Sequence, residues 1–381
     1  MMSWRVFDDE DLAGVKRVLD SGNLSAISGP ETPAFEREFA DEFGAPHALG
    51  LTNAMAGLHC GVAAAGVQPG DEVIVDPMVV FAALGVLYHN GVPIYADVRR
   101  DTHLMDPQSL RERITDRTKA VIVTNLWGLC ADYDEINAIA REHGLLVIED
   151  CAHAIYATYK GTYAGCNGDI GVYSFQMSKQ MALGDAGMVV CKSEEHLQTM
   201  RDLGTFGSLP KCVSWNYRIN ELVSAVGRVQ LRRARGYVDD CIAAAKLYSQ
   251  AVEGCSWFAP QFVPEECVNT YHIWTAVFEG EEHGISREDI TRVAEEVGFP
   301  LRLGYIEGKP AYLHPQVAEP IGYGKGCPVR CPHARDISYQ PGDCPNAEYL
   351  LTRVVLIGTA GGAEAHRANA EKLAAVIQRL S

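Results

Sequence analysis

The chain has 381 residues, with 33 Lys and Arg against 49 Asp and Glu, and its formal net charge of −16 disfavours an extended basic surface for nucleic acid or anionic lipid. At 47% hydrophobic and 22% charged residues the composition is that of an ordinary globular protein, which excludes disorder and fibrous folds. The start, MMSWRVFDDEDLAGVKRVLD, has no basic run ahead of an apolar core, and no apolar run reaches the roughly 18 residues of a membrane span. The expectation is a cytoplasmic protein, no membrane partner, and twelve reduced cysteines, with Cys60 and Cys191 acting as small core residues.

Thr32 and Pro33 read as an N-cap and first-turn pair, after which Phe35, Phe39 and Phe43 recur at helical spacing until Gly44. From about residue 50, apolar runs alternate with helical patterns. The runs 73–75, 92–96, 120–124 and 145–150 read as strands, with helices over 54–66, 80–90, 106–115 and 133–143 between them. Such alternation implies βαβ units and a parallel sheet covered on both faces. Two further strands, 170–175 and 187–191, are joined by a segment too short for a crossover helix, which permits an antiparallel or loop-linked pair and implies a mixed sheet. A long helix from Glu221 to about Val252 then leads to a strand over 272–279 and helices over 287–297 and 363–380. The fold class is α/β: a large domain over 1–250 with an N-terminal helical segment, and a smaller α+β domain over 251–381.

The sequence holds no GxxxxGK[ST], HExxH, GxSxG or CxxC, so nucleotide hydrolases, zincins and serine hydrolases lack their usual support. In 149-EDCAH-153, Asp150 closes a parallel strand, where open α/β sheets place ligands, and His153 follows; alone, these read as a cap and a surface histidine. In 174-SFQMSKQMALGDAG-187, Lys179 lies in a segment that is neither helix nor strand; alone, it reads as a solvated lysine. Together they change the odds. An anion for a pyridinium nitrogen, an amine for an aldehyde and a hydroxyl at Ser174 for a phosphate are what pyridoxal phosphate requires. The small residues of 52-TNAMAG-57 open a helix whose N-terminus suits a phosphate, and Phe81 is a candidate for stacking on the ring. Asn216, Tyr217 and Arg218 stand ahead of the long helix, with Arg218 suited to a carboxylate. Cys327, Cys331 and His333, followed by Cys344, do not have standard zinc spacing, and no metal is expected.

These segments resemble the DegT/DnrJ/StrS-type sugar aminotransferases, a branch of the fold-type I pyridoxal phosphate enzymes. The resemblance runs from 29-GPETPAFEREFADEFG-44 to 343-DCPNAE-348 and is most specific in 148-IEDCAHAI-155, 173-YSFQMSKQMALGDAGMV-189 and 216-NYRINELVSAVGRVQL-231. It implies that Lys179 is the Schiff-base lysine, Asp150 the pyridinium partner, and His153 a contact to the ring or its phenolic oxygen. Ser174 and the backbone at Met55 and Ala56 correspond to phosphate contacts, and Phe81 to the stacked aromatic. Asn216 corresponds to a residue reaching the neighbouring subunit's cofactor, which requires a homodimer with shared sites. Gln176 and Arg218 fall at substrate positions. Two departures stand out: the family's phosphate-loop threonine is replaced by Met55, and its Glu-Gly-Gly by 185-DAG-187. The implied reaction moves an amino group from glutamate or glutamine to a keto-sugar, nucleotide-linked or of aminoglycoside type, or to a keto-cyclitol, in amino-sugar or antibiotic biosynthesis. Two alternatives are sugar dehydration or elimination on the same fold and a non-catalytic regulatory member. Relatives that deoxygenate sugars carry histidine where this chain has Lys179.

Overall fold

The computed structural model describes residues 4–205, 213–318 and 326–381. In chain order its strands are β1 (His47–Leu51), β2 (Glu72–Val75), β3 (Val92–Tyr95), β4 (Thr118–Thr124), β5 (Leu146–Asp150), β6 (Thr158–Tyr159), β7 (Thr162–Tyr163), β8 (Ile170–Ser174), β9 (Gly187–Cys191), β10 (Phe258–Pro260), β11 (Cys267–Val268), β12 (Ile273–Phe278) and β13 (Val354–Gly358). The principal helices are α1 (Asp9–Ser21), α2 (Glu31–Phe43), α3 (Ala54–Ala64), α4 (Val80–Tyr88), α5 (Pro107–Arg113), α6 (Tyr133–His143), α7 (Glu194–Gly204) and α8 (Glu221–Ala251).

Seven strands form the main sheet in the order β1-β9-β8-β5-β4-β2-β3. From β8 to β3 the neighbours are parallel, whereas β9 pairs antiparallel with both β8 and β1. The physical cause is the one read from the sequence: strands followed by a helix return parallel, and the short 175–186 connection turns β9 back beside β8. Val73, Ile74, Val121, Ile122 and Ile148 are inaccessible to solvent, as strands covered on both faces must be. One consequence matters for the site. The parallel strands β2, β4 and β5 all end on the same edge, so Asp76, Thr124 and Asp150 come together there.

Phe35, Phe39 and Phe43 form one buried stripe of α2. Phe35 and Phe39 meet Phe175, immediately after β8, at ring-centroid distances of 5.9 and 5.7 Å, and so brace the strand end from which the Lys179 loop departs. The start of α2 differs from the sequence expectation. Thr32 is not its N-cap: the helix begins at Glu31 after Pro30. The buried Glu221 carboxylate, from α8, accepts the N–H groups of Glu31 and Thr32 at 2.7 and 2.8 Å. A tertiary acid has taken the capping role that a local hydroxyl would otherwise fill. A Cβ on Gly29 would lie 2.2 Å from that carboxylate, so a glycine is needed beside it.

A second buried cluster, including Tyr248, Trp257, Trp274, Phe278, Ile290 and Leu373, packs around a sheet ordered β10-β12-β13. Helix α8 runs through both cores, giving Leu231, Ala234 and Val238 to the first and Ala245 and Tyr248 to the second. Tyr312, Leu350 and Leu351 pack back on the first core. β6, β7 and β11 make a small third sheet. Cys60 and Cys191 are core residues, and Cys344 is buried with its Sγ toward the Tyr95 carbonyl. Among the described residues no three His, Cys, Asp or Glu side chains gather as metal ligands, and no helix is long and apolar enough to cross a membrane.

Candidate active site

A cavity of about 310 Å³ opens at the carboxyl ends of β2, β4 and β5, a size at the lower end for small-molecule sites. Lys179, Asp150, His153, Ser174, Phe81 and Met55 all line it, as does Gln176. Residues separated by more than a hundred positions thus converge on one mostly apolar pocket, because strand ends and the loops that follow them share an edge of the sheet.

Asp150 ends β5 and is buried, its Oδ1 accepting the Ala152 N–H at 3.0 Å. No helix follows, so it is not a helix cap. Burial raises its carboxyl above the ordinary carboxylate range, and the Ala152 N–H and Lys179 oppose that shift. Lys179 sits in an irregular loop closed by its own N–H to the Gln176 carbonyl at 2.8 Å. Burial lowers its ammonium to about 8, with Asp150 pulling the other way. The two groups therefore feel one another's charge while each is partly withdrawn from water.

His153 is not a surface histidine. Its Nδ1 accepts the Trp127 N–H at 3.4 Å, and its ring lies against His272 at 4.5 Å between centroids. Burial first, then Lys179, holds both imidazoles well below the usual range, His272 at about 3. A neutral His153 offers one ring nitrogen as donor and the other as acceptor.

At the start of α3, Asn53 is the cap, accepting the Ala56 N–H at 2.8 Å. Ala56, expected with Met55 as a backbone phosphate contact, is buried, does not line the cavity, and has its N–H engaged by Asn53. Asn53, Ala54 and Met55 line it instead. Strand β9 crowds the same turn, since a Cβ on Gly187 would lie 2.6 Å from the Asn53 carbonyl carbon. Phe81 is 54% exposed at the rim, and Gln176 folds back to accept the N–H and hydroxyl of Ser178 at 2.7 and 2.6 Å.

Asn216 and Arg218 do not reach the cavity of their own chain. Asn216 is exposed, and Arg218 donates to the Thr205 carbonyl while lining a separate hollow beside Glu36 and Arg201. Their segment is held by Thr52 and Tyr217, whose N–H groups donate to the carbonyls of Tyr217 and Gly204 at 2.8 and 2.7 Å.

Sequence reasoning passed over several groups. Asp76, just past β2, is buried; its Oδ1 accepts the Met78 N–H at 2.9 Å, and its Oδ2 accepts the hydroxyl of Thr124, which lines the cavity. Burial raises its carboxyl to about 6, with Asp150 adding to the rise. His272 and Asp185 were likewise unassigned; Asp185 stands exposed at the cavity mouth. Asp185 lies in the Lys179 segment and was legible by position, whereas nothing near Asp76 or His272 in sequence signals a partner.

Pyridoxal phosphate fits this donor set: an acid at a strand end, an amine facing it, an aromatic side chain, and a capped helix start beside Ser174. Residues 6–361 match the profile of the DegT/DnrJ/EryC1/StrS aminotransferase family. The chain belongs to this family, and is an aminotransferase of the pyridoxal phosphate-dependent class. It is 32% identical over 333 residues to the spore coat polysaccharide biosynthesis protein SpsC of Bacillus subtilis strain 168, covering 82% of this chain and 84% of that protein. It is 34% identical over 268 residues to a candidate L-glutamine:3-amino-2,3-dideoxy-scyllo-inosose aminotransferase of Micromonospora echinospora, covering 68% of this chain and 64% of that one. Its fold superposes on the X-ray structure of the aminotransferase from Psychrobacter cryohalolentis with a TM-score of 0.86 at 25% identity, covering 99% of this chain and 98% of the other.

Proposed function

We propose that the protein transfers an amino group from glutamate or glutamine to the keto carbon of a sugar or cyclitol, and that it does so as a cytoplasmic homodimer with pyridoxal phosphate in the cavity at the sheet edge. The observation that carries this reading is the Asp150–Lys179 pair, a buried acid and a half-buried amine lining one mostly apolar pocket. The relatives named for polysaccharide biosynthesis and for a keto-inosose support the acceptor class, and the latter's name supports glutamine as donor.

In this reading Lys179 would hold the cofactor through its aldehyde, Asp150 would pair with the ring nitrogen, and Phe81 and His153 would contact the ring. Ser174 and the start of α3 at Met55 face the phosphate. When bound, the cofactor supplies an electron sink for the charge left as the donor loses its α-proton. The chain's own residues do the rest. An Asp150 carboxylate removed from water keeps a proton on the nitrogen it faces, because the alternative leaves an unpaired buried charge. Released from the aldehyde when the donor's amine takes its place, Lys179, its ammonium lowered to about 8, would have an appreciable neutral fraction near neutral pH, so its Nζ could take a proton and return it.

Asn216 and Arg218, turned away from their own cavity, serve the partner subunit's site in this proposal, Asn216 at the phosphate and Arg218 at a substrate carboxylate, with Gln176 as a second substrate contact. Residues 1–250 act as the cofactor-binding unit and 251–381 as the smaller unit. Purified protein, loaded with pyridoxal phosphate, reduced with borohydride and digested, should carry the cofactor mass on Lys179. Incubation with glutamate or glutamine and a panel of keto-sugar nucleotides, keto-aminoglycosides and keto-cyclitols should yield an amine detectable by mass. Loss of water from the acceptor without nitrogen gain would point to elimination instead.

A further inference from the structure

We propose that Arg5 is a positioning residue for Lys179: its guanidinium fixes the backbone of the loop that presents the lysine, which makes the N-terminal segment part of the active site. The inference rests on the reading of Lys179 as the residue that bonds the cofactor.

Arg5 is 7% exposed. Its Nε donates to the Gln180 carbonyl at 3.0 Å and its Nη2 to the Lys179 carbonyl. A guanidinium presents N–H groups in a planar fork, so one side chain can span two successive carbonyls; an ammonium is a point donor and holds them less rigidly. Taking a cation out of water is costly, and two of the N–H groups of this one meet the carbonyls at and beside the lysine.

Both ends of this link are anchored. On one side, Val6 ties the segment to α8: its N–H donates to the Tyr237 hydroxyl at 3.1 Å, and its carbonyl accepts from Gln230 Nε2 and Arg233 Nη1, each at 2.9 Å. The Trp4 ring packs edge-on against Tyr237 at 5.2 Å, with the Arg5 guanidinium 4.9 Å from the Trp4 centroid. On the other side, Gln180 Nε2 donates to the Thr270 carbonyl at 2.7 Å. The loop between these anchors has no helix or strand to orient it. The direction of the Lys179 side chain therefore depends on what holds its main chain, and among the contacts described Arg5 is the one that grips the lysine's own carbonyl from outside the loop.

The test uses the full chain, first without cofactor. In Arg5→Met, amide hydrogen exchange over 175–186 should accelerate at least about tenfold while β4 and β5 keep their protection. Loading with pyridoxal phosphate, followed by its visible absorbance, should slow by about tenfold, with a displaced pH midpoint of that band. Arg5→Lys should fall between the two, and millimolar guanidinium added to Arg5→Ala should restore part of the protection. Wild-type exchange and loading in a folded Arg5→Met protein would overturn the proposal. Should Arg5→Met fail to fold, Arg5→Lys decides: exchange and loading indistinguishable from wild type would overturn it equally. Peptide mapping of the reduced wild type separates the two readings. Cofactor on another lysine refutes the role of Lys179, while exchange measured without cofactor still decides whether Arg5 holds the loop.

Discussion

Asp76→Asn isolates the electrostatic cost of building this sheet edge. Asp76 is enclosed at the end of β2, and burial raises its carboxyl from 3.8 to about 6, against the two hydrogen bonds it accepts from Thr124 and Met78. Its folded value lies above its unfolded one, so between pH 3.8 and about 6 the folded chain holds a proton that the unfolded chain has released. Stability therefore falls as pH rises through that window, and the full cost is present above it. At about 1.4 kcal/mol for each pH unit the gap amounts to about 3 kcal/mol. Asparagine has nearly the shape of the protonated acid, accepts from Met78 with its oxygen, and cannot ionise. Asp76→Asn should accordingly be more stable than wild type by about 2–3 kcal/mol at about pH 7.5, with the advantage falling to about half near pH 5. Urea unfolding of the cofactor-free proteins across pH, followed by tryptophan fluorescence, measures both. A variant less stable than wild type at neutral pH, or an advantage that does not shrink on acidification, would refute the reasoning.

Asp150→Asn should still bind pyridoxal phosphate but lose several orders of magnitude in turnover, since a neutral amide cannot hold a proton on the ring nitrogen; near-normal turnover would falsify that role. His153→Ala, which removes a contact and leaves Asp150 in place, should cost less, and steady-state kinetics on the same substrate compares the two. Lys179→Ala should be inactive and give no cofactor-labelled peptide after borohydride. Mixing refolded Lys179→Ala subunits with Asn216→Ala/Arg218→Ala subunits should regenerate activity absent from either parent; confirmed heterodimers without any gain would show that the segment serves its own chain. Glu221→Ala should destabilise the fold by about 2–4 kcal/mol, because it strips the start of α2 of its acceptor and leaves buried N–H groups unpaired, and the urea midpoint should fall accordingly.

The elements that bury both faces were legible from sequence because burial writes itself into local composition. The strands containing Val73–Val75, Val121–Val123 and Ile148 read as apolar runs, and the Phe35, Phe39 and Phe43 stripe reads at helical period. The short connection into β9 excluded a crossover helix and permitted an antiparallel or a loop-linked pair; the structure has the antiparallel one. The pairing of Asp150 with Lys179 was legible by chemistry and by resemblance, since both side chains leave strand ends or the loops that follow them. Short elements were not read from the sequence: β6 and β11 pair Thr158 and Tyr159 with Val268 and Cys267, and two residues are too few to set up a strand period. The start of α2 was misplaced because its cap is Glu221, a residue from another helix. The same reason explains Arg5, Asp76 and His272. A side chain's hydrogen-bond partners and its distance from water are properties of what packs around it, and for these residues a decisive neighbour (Gln180, Thr124 and His153 respectively) comes from a remote part of the chain. Local sequence determines which segments can be strands or helices and which residues are able to do chemistry; only the tertiary structure decides which of those residues share a dry pocket, because desolvation and Coulomb energy depend on proximity in space.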